Sequence, residues 1–340
     1  MGKNLKYSGV GLDRVNALRR DEAWVKDRLG APGTRVVPVW RGRNLVVTGS
    51  QPEPVFLEGE AAGKVLGISA ETAGPVVLLG QDDNTDDKTV YAAADLSALD
   101  EDALDPFTET GQFKELRRFG ALMAGPDAAL LAYARGMVHW HQRHLFCGVC
   151  GQPTESRDGG HMRICNGGGD SHMHFPRTDP AVIMLVTHDD PEGNGPACLL
   201  GRQSQWIEGM YSTLAGFVEP GESLEEAVAR EVEEESSIRV TDVQYMASQP
   251  WPFPSSLMLG FRAKALTTEI KIDNRELEDA RWFTAVDMRE FGEWPTGGAK
   301  GTPLITEKGA GGATGERRLP RKDSIARFLV DSWLEDTDDG

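Results

Sequence analysis

The chain has 340 residues, of which 39% are hydrophobic, and a formal net charge of −17. This length allows two or three domains with ordinary apolar cores. The acidic balance excludes a dominant basic surface and so disfavours general nucleic-acid binding through phosphate neutralisation. No run of about 18 apolar residues is present and the N-terminus lacks a charged-then-apolar signal pattern, so we expect a cytoplasmic protein without a membrane partner.

Residues 1–125 are predicted to form an α/β domain without a catalytic constellation. Apolar, β-branched runs at residues 36–40, 44–47 and 76–80 predict strands, and the acidic run that follows the third strand predicts a solvated loop. Residues 126–145 are predicted to link this domain to the rest of the chain, because apolar side chains recur there with the spacing of one helix face.

Cysteine spacing marks the next segment, residues 146–178. Cys147 and Cys150 form a Cys-x2-Cys pair, which indicates metal binding in a reducing compartment. Cys165 follows, but the second pair is incomplete. A ribbon this short cannot bury its own core and is typically held by zinc. Cys198 lies in a later apolar run and is predicted to be a core thiol.

The fourth ligand of this zinc-ribbon-like element is open. Asp170, His172 and His174 are candidates, with His172 or Asp170 favoured. The alternative is a ribbon that has lost its metal and merely retains three cysteines. In either case we expect a structural element, because a closed site leaves no coordination position for a substrate.

Residues 179–340 are predicted to form the catalytic domain. The sequence predicts a final helix that begins at Ser324. It also predicts a flexible, glycine-rich insertion at residues 297–315, because this segment lacks the Gly-Lys-Ser/Thr ending of a phosphate-binding loop. Apolar runs predict strands at residues 182–186, 199–202, 211–214 and 257–261.

The most informative stretch of this domain is residues 216–238. Pro220 and Gly221 predict a turn. Ser223, followed three residues later by Glu226, predicts a capping box, so a helix should begin at about Ser223.

One face of this helix changes from apolar to acidic. At about 100° per residue, Leu224 and Val228 lie in line with Glu231 and Glu235. The alternative, a fully solvated acidic helix, would not align these groups. Carboxylates crowded in a partly buried site repel one another unless a cation lies among them, and oxygen ligands suit Mg²⁺ or Mn²⁺.

A proline-rich segment follows at residues 248–256, Ser-Gln-Pro-Trp-Pro-Phe-Pro-Ser-Ser. Prolines at alternate positions exclude a central strand and predict a rigid extended path. Such a path can present Gln249, Trp251, Phe253 and Ser256 to a ligand. The alternative, a proline-rich motif for a protein partner, fits less well because a core strand follows immediately.

Two of these patterns resemble known signatures. The proline-rich segment resembles the tag that accompanies the Nudix box in NADH pyrophosphatases. Residues 216–238 resemble the Nudix box itself, the signature of hydrolases of nucleoside diphosphates linked to another group, at Gly216, Glu222, Arg230, Glu231, Glu234 and Glu235.

Two positions depart from the family pattern. The family usually has Gly where this chain has Ser237, which predicts a stability cost of roughly 1 kcal/mol for a left-handed residue and no loss of chemistry. Relatives often carry the last cysteine of the ribbon at the position of Gly168, so this departure bears on zinc binding.

The resemblance implies roles for individual residues. Glu234 is expected to act as the base or to orient the water, and Gly216, Glu222 and Arg230 are expected to support the loop and helix. The expected ligands of the catalytic Mg²⁺ or Mn²⁺ are the carbonyl of Ala215 and the side chains of Glu231, Glu235 and Glu276. The expected substrate contacts are Phe175, for which a core position is the alternative, and Phe217, Gln249, Trp251, Phe253, Ser256 and Ala326.

The resemblance also implies the fold and the function. We expect an α+β protein: an α/β/α Nudix sandwich with an N-terminal α/β domain and a small zinc-ribbon-like insertion, assembled as a homodimer. The implied reaction cleaves NAD(H) to nicotinamide mononucleotide and AMP, and extends to the removal of NAD caps from RNA 5′ ends. The alternatives are a Nudix hydrolase of ADP-ribose or diadenosine polyphosphates, and a non-catalytic NAD-binding regulator.

Overall fold

The structure is a computed structural model that describes residues 5–72, 74–85, 88–189, 195–293 and 317–338, apart from the side chains of residues 169–171 and 338. The predicted glycine-rich insertion therefore lies outside the described residues. The chain forms two units. The N-terminal unit comprises Tyr7–Thr178 and Trp251–Ser255, and the C-terminal unit comprises Asp179–Pro250, the chain from Ser256 onward and the segment that ends at Lys6.

The apolar runs of the N-terminal unit form a six-stranded sheet, and the three predicted strands are confirmed. The strands are β1 Arg35–Trp40, β2 Arg43–Val47, β3 Glu53–Pro54, β4 Val76–Gln81, β5 Val90–Asp95 and β6 Gln112–Lys114. Their order is β3-β2-β1-β5-β4, with β6 paired to β2. β1 and β5 are parallel, whereas β1 and β2 form an antiparallel pair.

Helices complete this unit, and the predicted linking helix packs on its sheet. The helices are α1 Glu22–Leu29, α2 Gly59–Glu71, α3 Leu116–Phe119 and α4 Gly125–Arg143. Leu131, Ala134 and Val138 of α4 are buried in one cluster with Val39 of β1. The helical spacing of these apolar residues therefore forms the face that covers the sheet.

A three-stranded antiparallel ribbon follows α4 and completes the Tyr7–Thr178 part of the N-terminal unit. Its strands are β7 Thr154–Arg157, β8 Met162–Cys165 and β9 Gly169–His174, in that order. A buried pair joins the ribbon to α4: Arg163 donates from Nη1 to Nδ1 of His141 at 2.8 Å. The other ring nitrogen of His141 donates to the carbonyl of Gly160 at 2.8 Å. These bonds fix the neutral tautomer of the imidazole.

A second six-stranded sheet forms the centre of the C-terminal unit. Its strands are β10 Asp179–Asp189, β11 Pro196–Arg202, β12 Leu214–Phe217, β13 Val240–Trp251, β14 Ser256–Ala265 and β15 Asp279–Thr284. The order is β13-β14-β10-β11-β15, with β12 paired to β10. β10 and β14 are parallel, and β10 and β11 are antiparallel.

The apolar faces of β10 make this unit a three-layer α/β/α sandwich. The helices are α5 Leu224–Ser236, α6 Ala285–Arg289 and α7 Ile325–Asp338. Val182 and Met184 belong to the core cluster that contains Val228 of α5. Ile183 and Leu185 belong to the cluster that contains much of α7. Alternating residues of a strand point to opposite faces, so one continuous apolar run packs against both helices.

Two details differ from the sequence prediction. The strand predicted at residues 211–214 begins instead at Leu214, because the pairing with β10 runs from Leu214 to Phe217. The edge strand β13 continues through Pro250 to Trp251, where a missing amide donor is tolerated. Among the described helices, none combines the length and the apolar character that crossing a bilayer requires.

Candidate functional site

α5 begins where the sequence predicts. The Ser223 hydroxyl accepts a hydrogen bond from the amide of Glu226 at 3.2 Å, and the Glu226 carboxylate accepts one from the amide of Ser223 at 2.8 Å. The helix ends at Ser236 and is followed by Ser237, whose φ of 60° is left-handed. The predicted capping box and the predicted left-handed conformation of this serine are both confirmed.

The buried face of α5 is apolar in its first turns and acidic in its last. Ala227 and Val228 are fully buried, and Glu231 and Glu235 are only 8% and 5% exposed. Glu234 lies on the exposed side of the helix. The alternative of a fully solvated acidic helix is therefore wrong for the two inward glutamates.

Gly216 supplies the space in which the Glu231 carboxylate lies. A Cβ atom at Gly216 would lie 1.9 Å from Cδ of Glu231 and 2.0 Å from each carboxylate oxygen. Both oxygens therefore lie against the bare backbone of β12, beside Ala215. Any side chain at Gly216 would displace the carboxylate.

The inward carboxylates create a site that favours a cation. Burial raises the pKa of Glu235 to about 8, and the neighbouring charges of Glu231, Glu276 and Glu234 add to this effect. Burial also raises the pKa of Glu231. Among the described residues, no side chain donates a hydrogen bond to Glu235. A divalent cation would supply the missing positive charge, so this oxygen-rich donor set fits Mg²⁺ or Mn²⁺.

Arg230 connects the loop before α5 to the helix. Its guanidinium donates to both carboxylate oxygens of Glu222, at 2.5 and 2.9 Å, and to the carbonyl of Phe217 at 2.9 Å. It also contacts Glu231 at 2.8 Å and Glu234 at 3.1 Å. The hydrogen bonds from Arg230, helped by the amide of Glu219, lower the pKa of Glu222 to about 2, so this carboxylate is ionised and bound to Arg230 at neutral pH.

The other proposed metal ligands flank this helix. Glu276 is exposed in a turn whose amide bonds back to Asp273 at 3.0 Å. Its negative charge contributes to the raised pKa of both inward glutamates. Ala215 lies in β12 and pairs with Ile183.

The predicted substrate contacts fall into different environments. The ring of Phe217 is 59% exposed, at the end of β12. Phe175 is 57% exposed, so the alternative of a core aromatic is wrong for this residue. Ala326 is 4% exposed and belongs to the core beneath α7, which leaves no surface for a substrate contact.

Gln249 also differs from its predicted role. Its side chain is fully buried. The amide donates to the carbonyls of Asp323 at 2.7 Å and Lys6 at 3.2 Å, and it accepts from the amide of Ile325 at 2.8 Å. Gln249 therefore holds the start of α7 through backbone groups, and we leave it out of the proposed substrate site.

Trp251 and Phe253 are half-buried in the N-terminal unit. Both rings make edge contacts with Tyr7, at centroid distances of 5.9 and 5.6 Å. The guanidinium of Arg135 lies 5.1 Å from the Phe253 ring centroid and donates to the carbonyl of Pro252. Sequence reasoning missed Tyr7 and Arg135, because nothing near them in the chain indicates this contact. Ser256, at the start of β14, is half-buried.

The ribbon holds a second candidate metal site. Ligand atoms of Cys147, Cys150, Cys165 and His172 all lie within 4.8 Å of one another. Within the described part of the chain this is the one group of three or more acidic, cysteine or histidine ligands so closely spaced, and the α5 glutamates are spaced more widely. The donor set of three thiols and one imidazole fits zinc.

The other candidates for this site have different positions. Cys198 is fully buried in β11, which confirms a core thiol. Nε2 of His174 lies 3.4 Å from Sγ of Cys147. The side chain of Asp170 lies outside the described residues.

Family models match most of the chain. Residues 33–140 match an NADH pyrophosphatase-like rudimentary NUDIX domain, residues 142–175 an NADH pyrophosphatase zinc ribbon domain, and residues 177–303 a NUDIX domain. In chain order, the three matched regions correspond to the first sheet with its helices, the ribbon and the three-layer sandwich.

Curated relatives carry related names. The chain is 38% identical over 308 residues to the NAD-capped RNA hydrolase NUDT12 of Homo sapiens, an alignment that covers 82% of this chain and 66% of the relative. It is 35% identical over 332 residues to the NAD-capped RNA hydrolase NudC of Mycobacterium bovis (strain BCG / Pasteur 1173P2), covering 96% of this chain and 93% of the relative.

A third relative is more similar over a shorter alignment. The NAD-capped RNA hydrolase NudC of Stutzerimonas stutzeri (strain A1501) is 48% identical over 224 residues, covering 66% of this chain and 68% of the relative. The three matched models in sequence, the sandwich with its acidic helix and the near-complete alignment to the M. bovis protein agree: the chain belongs to the NADH pyrophosphatase family of the Nudix hydrolase superfamily.

Proposed function

We propose that this protein hydrolyses the pyrophosphate bond of NAD(H) to nicotinamide mononucleotide and AMP, and that it also removes NAD caps from RNA 5′ ends. The observation that carries the proposal is the burial of Glu231 and Glu235 on one face of α5, against the bare backbone of Gly216. The names of the relatives, NAD-capped RNA hydrolases, support the choice of substrate.

The proposed catalytic metal is Mg²⁺ or Mn²⁺, held by Glu231, Glu235, Glu276 and the carbonyl of Ala215. When bound, such an ion neutralises pyrophosphate charge and lowers the pKa of a coordinated water. Gly216 leaves space for the Glu231 carboxylate, and Arg230 donates a hydrogen bond to it. These two contacts hold this proposed ligand in position.

Glu234 is the proposed base or water-orienting residue. It is exposed one residue before Glu235, and its carboxylate accepts a hydrogen bond from Arg230 at 3.1 Å. This contact restricts the orientation of the carboxylate. An oriented carboxylate can accept the proton of the attacking water as the new bond to phosphorus forms.

Aromatic side chains are proposed to contact the dinucleotide. Phe217 and Phe175 have exposed rings that can stack on a base or nicotinamide. Trp251, Phe253 and Ser256 stay proposed contacts. We further propose a structural Zn²⁺ in the ribbon, a homodimer and a cytoplasmic location, which the resemblance and the cysteine usage support.

Product analysis tests the substrate. The purified protein is incubated with Mg²⁺ or Mn²⁺ and, in parallel, with NADH, NAD⁺, NAD-capped RNA, ADP-ribose and diadenosine polyphosphate. We expect nicotinamide mononucleotide and AMP from NAD(H), and 5′-monophosphate RNA from the capped RNA. Equal or faster cleavage of ADP-ribose or diadenosine polyphosphate would assign another substrate, and tight NAD binding without turnover would indicate a regulator.

Glu234→Gln tests the catalytic role. The amide keeps the size of the side chain but cannot accept a proton, so we expect kcat to fall by about 10²- to 10⁴-fold. NADH affinity, measured by calorimetry, should be unchanged. Glu233→Gln is the matched control, because Glu233 is also exposed on α5; it should keep normal turnover. Normal turnover in Glu234→Gln would remove this residue from the mechanism.

A further inference from the structure

His172 occupies the space that any side chain at Gly168 would need. A Cβ atom built at Gly168 would lie 2.2 Å from Nδ1 of His172, 2.5 Å from Cγ and 2.7 Å from Cε1. Non-bonded carbon and nitrogen atoms do not approach so closely. The imidazole can therefore take this position only because residue 168 has no side chain.

The strand register carries His172 to this position. β8 and β9 pair Ile164 with Met173 and Cys165 with Gly169. One step along β8 thus corresponds to four steps along β9, and the register is irregular at this point. The extra residues of β9 form a bulge beside Cys165, and bulges redirect side chains in this way. His172 is the last residue of that bulge.

The four ligand atoms of the resulting cluster lie within 4.8 Å of one another, close enough for one tetrahedral ion to bind all of them. Nδ1 of His172 lies 3.6 Å from Sγ of Cys147, and Sγ of Cys150 lies 3.3 Å from Sγ of Cys165. Two thiolates on one tetrahedral zinc are about 3.8 Å apart, as follows from zinc-sulfur bonds of about 2.3 Å. Backbone amides of Val149 and Gly167 donate to Cys147 and Cys165, at 3.4 and 3.3 Å.

We propose that His172, through Nδ1, is the fourth ligand of a Cys3His zinc site, and that the missing side chain at Gly168 admits it. The site can take a ligand from residue 172 or from residue 168, but not from both at once. This inference specifies the proposed zinc site and does not depend on the hydrolase activity.

His174 has a different role in the same cluster. Its Nε2 lies 3.4 Å from Sγ of Cys147, but the residue is not part of the group whose ligand atoms are all mutually close. We assign it as a donor to the Cys147 thiolate, outside the coordination sphere. Such hydrogen bonds orient ligands and change metal affinity by roughly 10- to 100-fold.

Zinc content and cobalt spectra of the full chain test the ligand set. Zinc per chain is measured by elemental analysis, and affinity by competition with a chromophoric chelator. We expect one zinc per chain. His172→Ala should lower the affinity by more than about 100-fold, a larger loss than the outer-sphere contact of His174 can cause. His174→Ala should lower it by roughly 10- to 100-fold, and Asp170→Ala should leave it unchanged.

A ligand transfer keeps the proposal testable if His172→Ala misfolds. The double variant Gly168→Cys/His172→Ala places a thiol where the imidazole lies, so it should restore one zinc per chain. With Co²⁺, its thiolate-to-metal absorption should exceed that of the parent by about one third, because four thiolates replace three. Gly168→Cys with His172 retained should show the same four-thiolate spectrum or reduced binding.

Three results would overturn the assignment. Full zinc affinity in His172→Ala would exclude this residue as a ligand. A loss in Asp170→Ala or His174→Ala as large as that in His172→Ala would transfer the role to that residue. A cobalt spectrum of four thiolates in the unaltered protein would exclude the imidazole altogether. None of these measurements uses NADH cleavage, so they fail or succeed separately from the proposed activity.

Discussion

Two glycines, which have no side chain, leave the space that a proposed metal ligand occupies at each of two sites. Gly216 leaves room for the Glu231 carboxylate, and Gly168 leaves room for the His172 ring. In each case the contact is too close for even a methyl group. The opposite case is Ser237, which carries a side chain in a left-handed conformation that favours glycine.

Gly216→Ala should lower turnover by displacing the Glu231 carboxylate. The added methyl group would displace the Glu231 carboxylate by about 1 Å or more, and misplacement of this size can lower turnover by about 10²-fold. We expect that loss in kcat with Mg²⁺ saturating. Gly63→Ala is the control, because its Cβ in α2 would meet no atom within 4 Å. Activity near that of the unaltered protein in Gly216→Ala would contradict the packing described for Glu231.

Ser237→Gly should stabilise the protein. The change removes left-handed strain of roughly 1 kcal/mol and loses the exposed hydrogen bond from the Ser237 hydroxyl to the carbonyl of Lys271. We expect a net gain of roughly 0.5 kcal/mol in the free energy of unfolding, measured by denaturant titration, with unchanged turnover. Ser237→Ala keeps the strain and loses the bond, so it should be slightly destabilised. A loss of stability in Ser237→Gly would disprove this account.

At the scale of elements, helix ends and strand faces explain most of the structure. The capping box fixes the start of α5, and the apolar-to-acidic stripe of the helix turns one packing face into a candidate metal site. Between α4 and the ribbon, the neutral ring of His141 in α4 accepts a hydrogen bond from Arg163 in β8. Burial and the Arg163 charge lower the pKa of His141 to about 3.

This histidine should make the N-terminal unit sensitive to acid. An unfolded histidine titrates near pH 6.5, so below that pH the unfolded state binds a proton that the folded state excludes until about pH 3. Its contribution to stability is complete above pH 6.5 and falls as the pH drops. Between pH 7 and pH 5 the expected loss is about 2 kcal/mol.

His141→Gln tests this pH dependence. Glutamine does not titrate, so the variant should lose about 2 kcal/mol less than the unaltered protein between pH 7 and pH 5, although it is less stable at pH 7. Denaturant titrations at the two pH values measure both quantities. Equal losses in the two proteins would show that His141 does not cause the acid sensitivity.

At the scale of the whole molecule, the charge of −17 shapes association with anionic substrates. A protein that binds nucleic acid through many phosphate contacts loses about 10³- to 10⁵-fold in affinity between 50 and 200 mM salt. We expect kcat/KM for NAD-capped RNA to change by less than about tenfold over this range. Free NADH, assayed in parallel, is the control. A steep fall for capped RNA alone would reveal a local basic surface for the RNA chain.

The sequence by itself determined the features that depend on neighbouring residues. Apolar runs predicted the strands β1, β10 and β14, helical spacing predicted α4, and the capping box predicted the start of α5. The capping box and the inward direction of Glu231 and Glu235 followed from the same local geometry. The Cys-x2-Cys spacing indicated the ribbon, although it left the fourth ligand open.

Only the tertiary structure decided the features that depend on contacts between distant residues. Gln249 was predicted to bind substrate, but it is buried against backbone groups near residues 6 and 323. Ala326 was placed at the pocket and lies in the core. Arg135 and Tyr7 were missed because their contacts with residues 251–253 are remote in sequence. Local periodicity fixes which way a side chain points, whereas the atoms that it meets there are set by how the chain folds back.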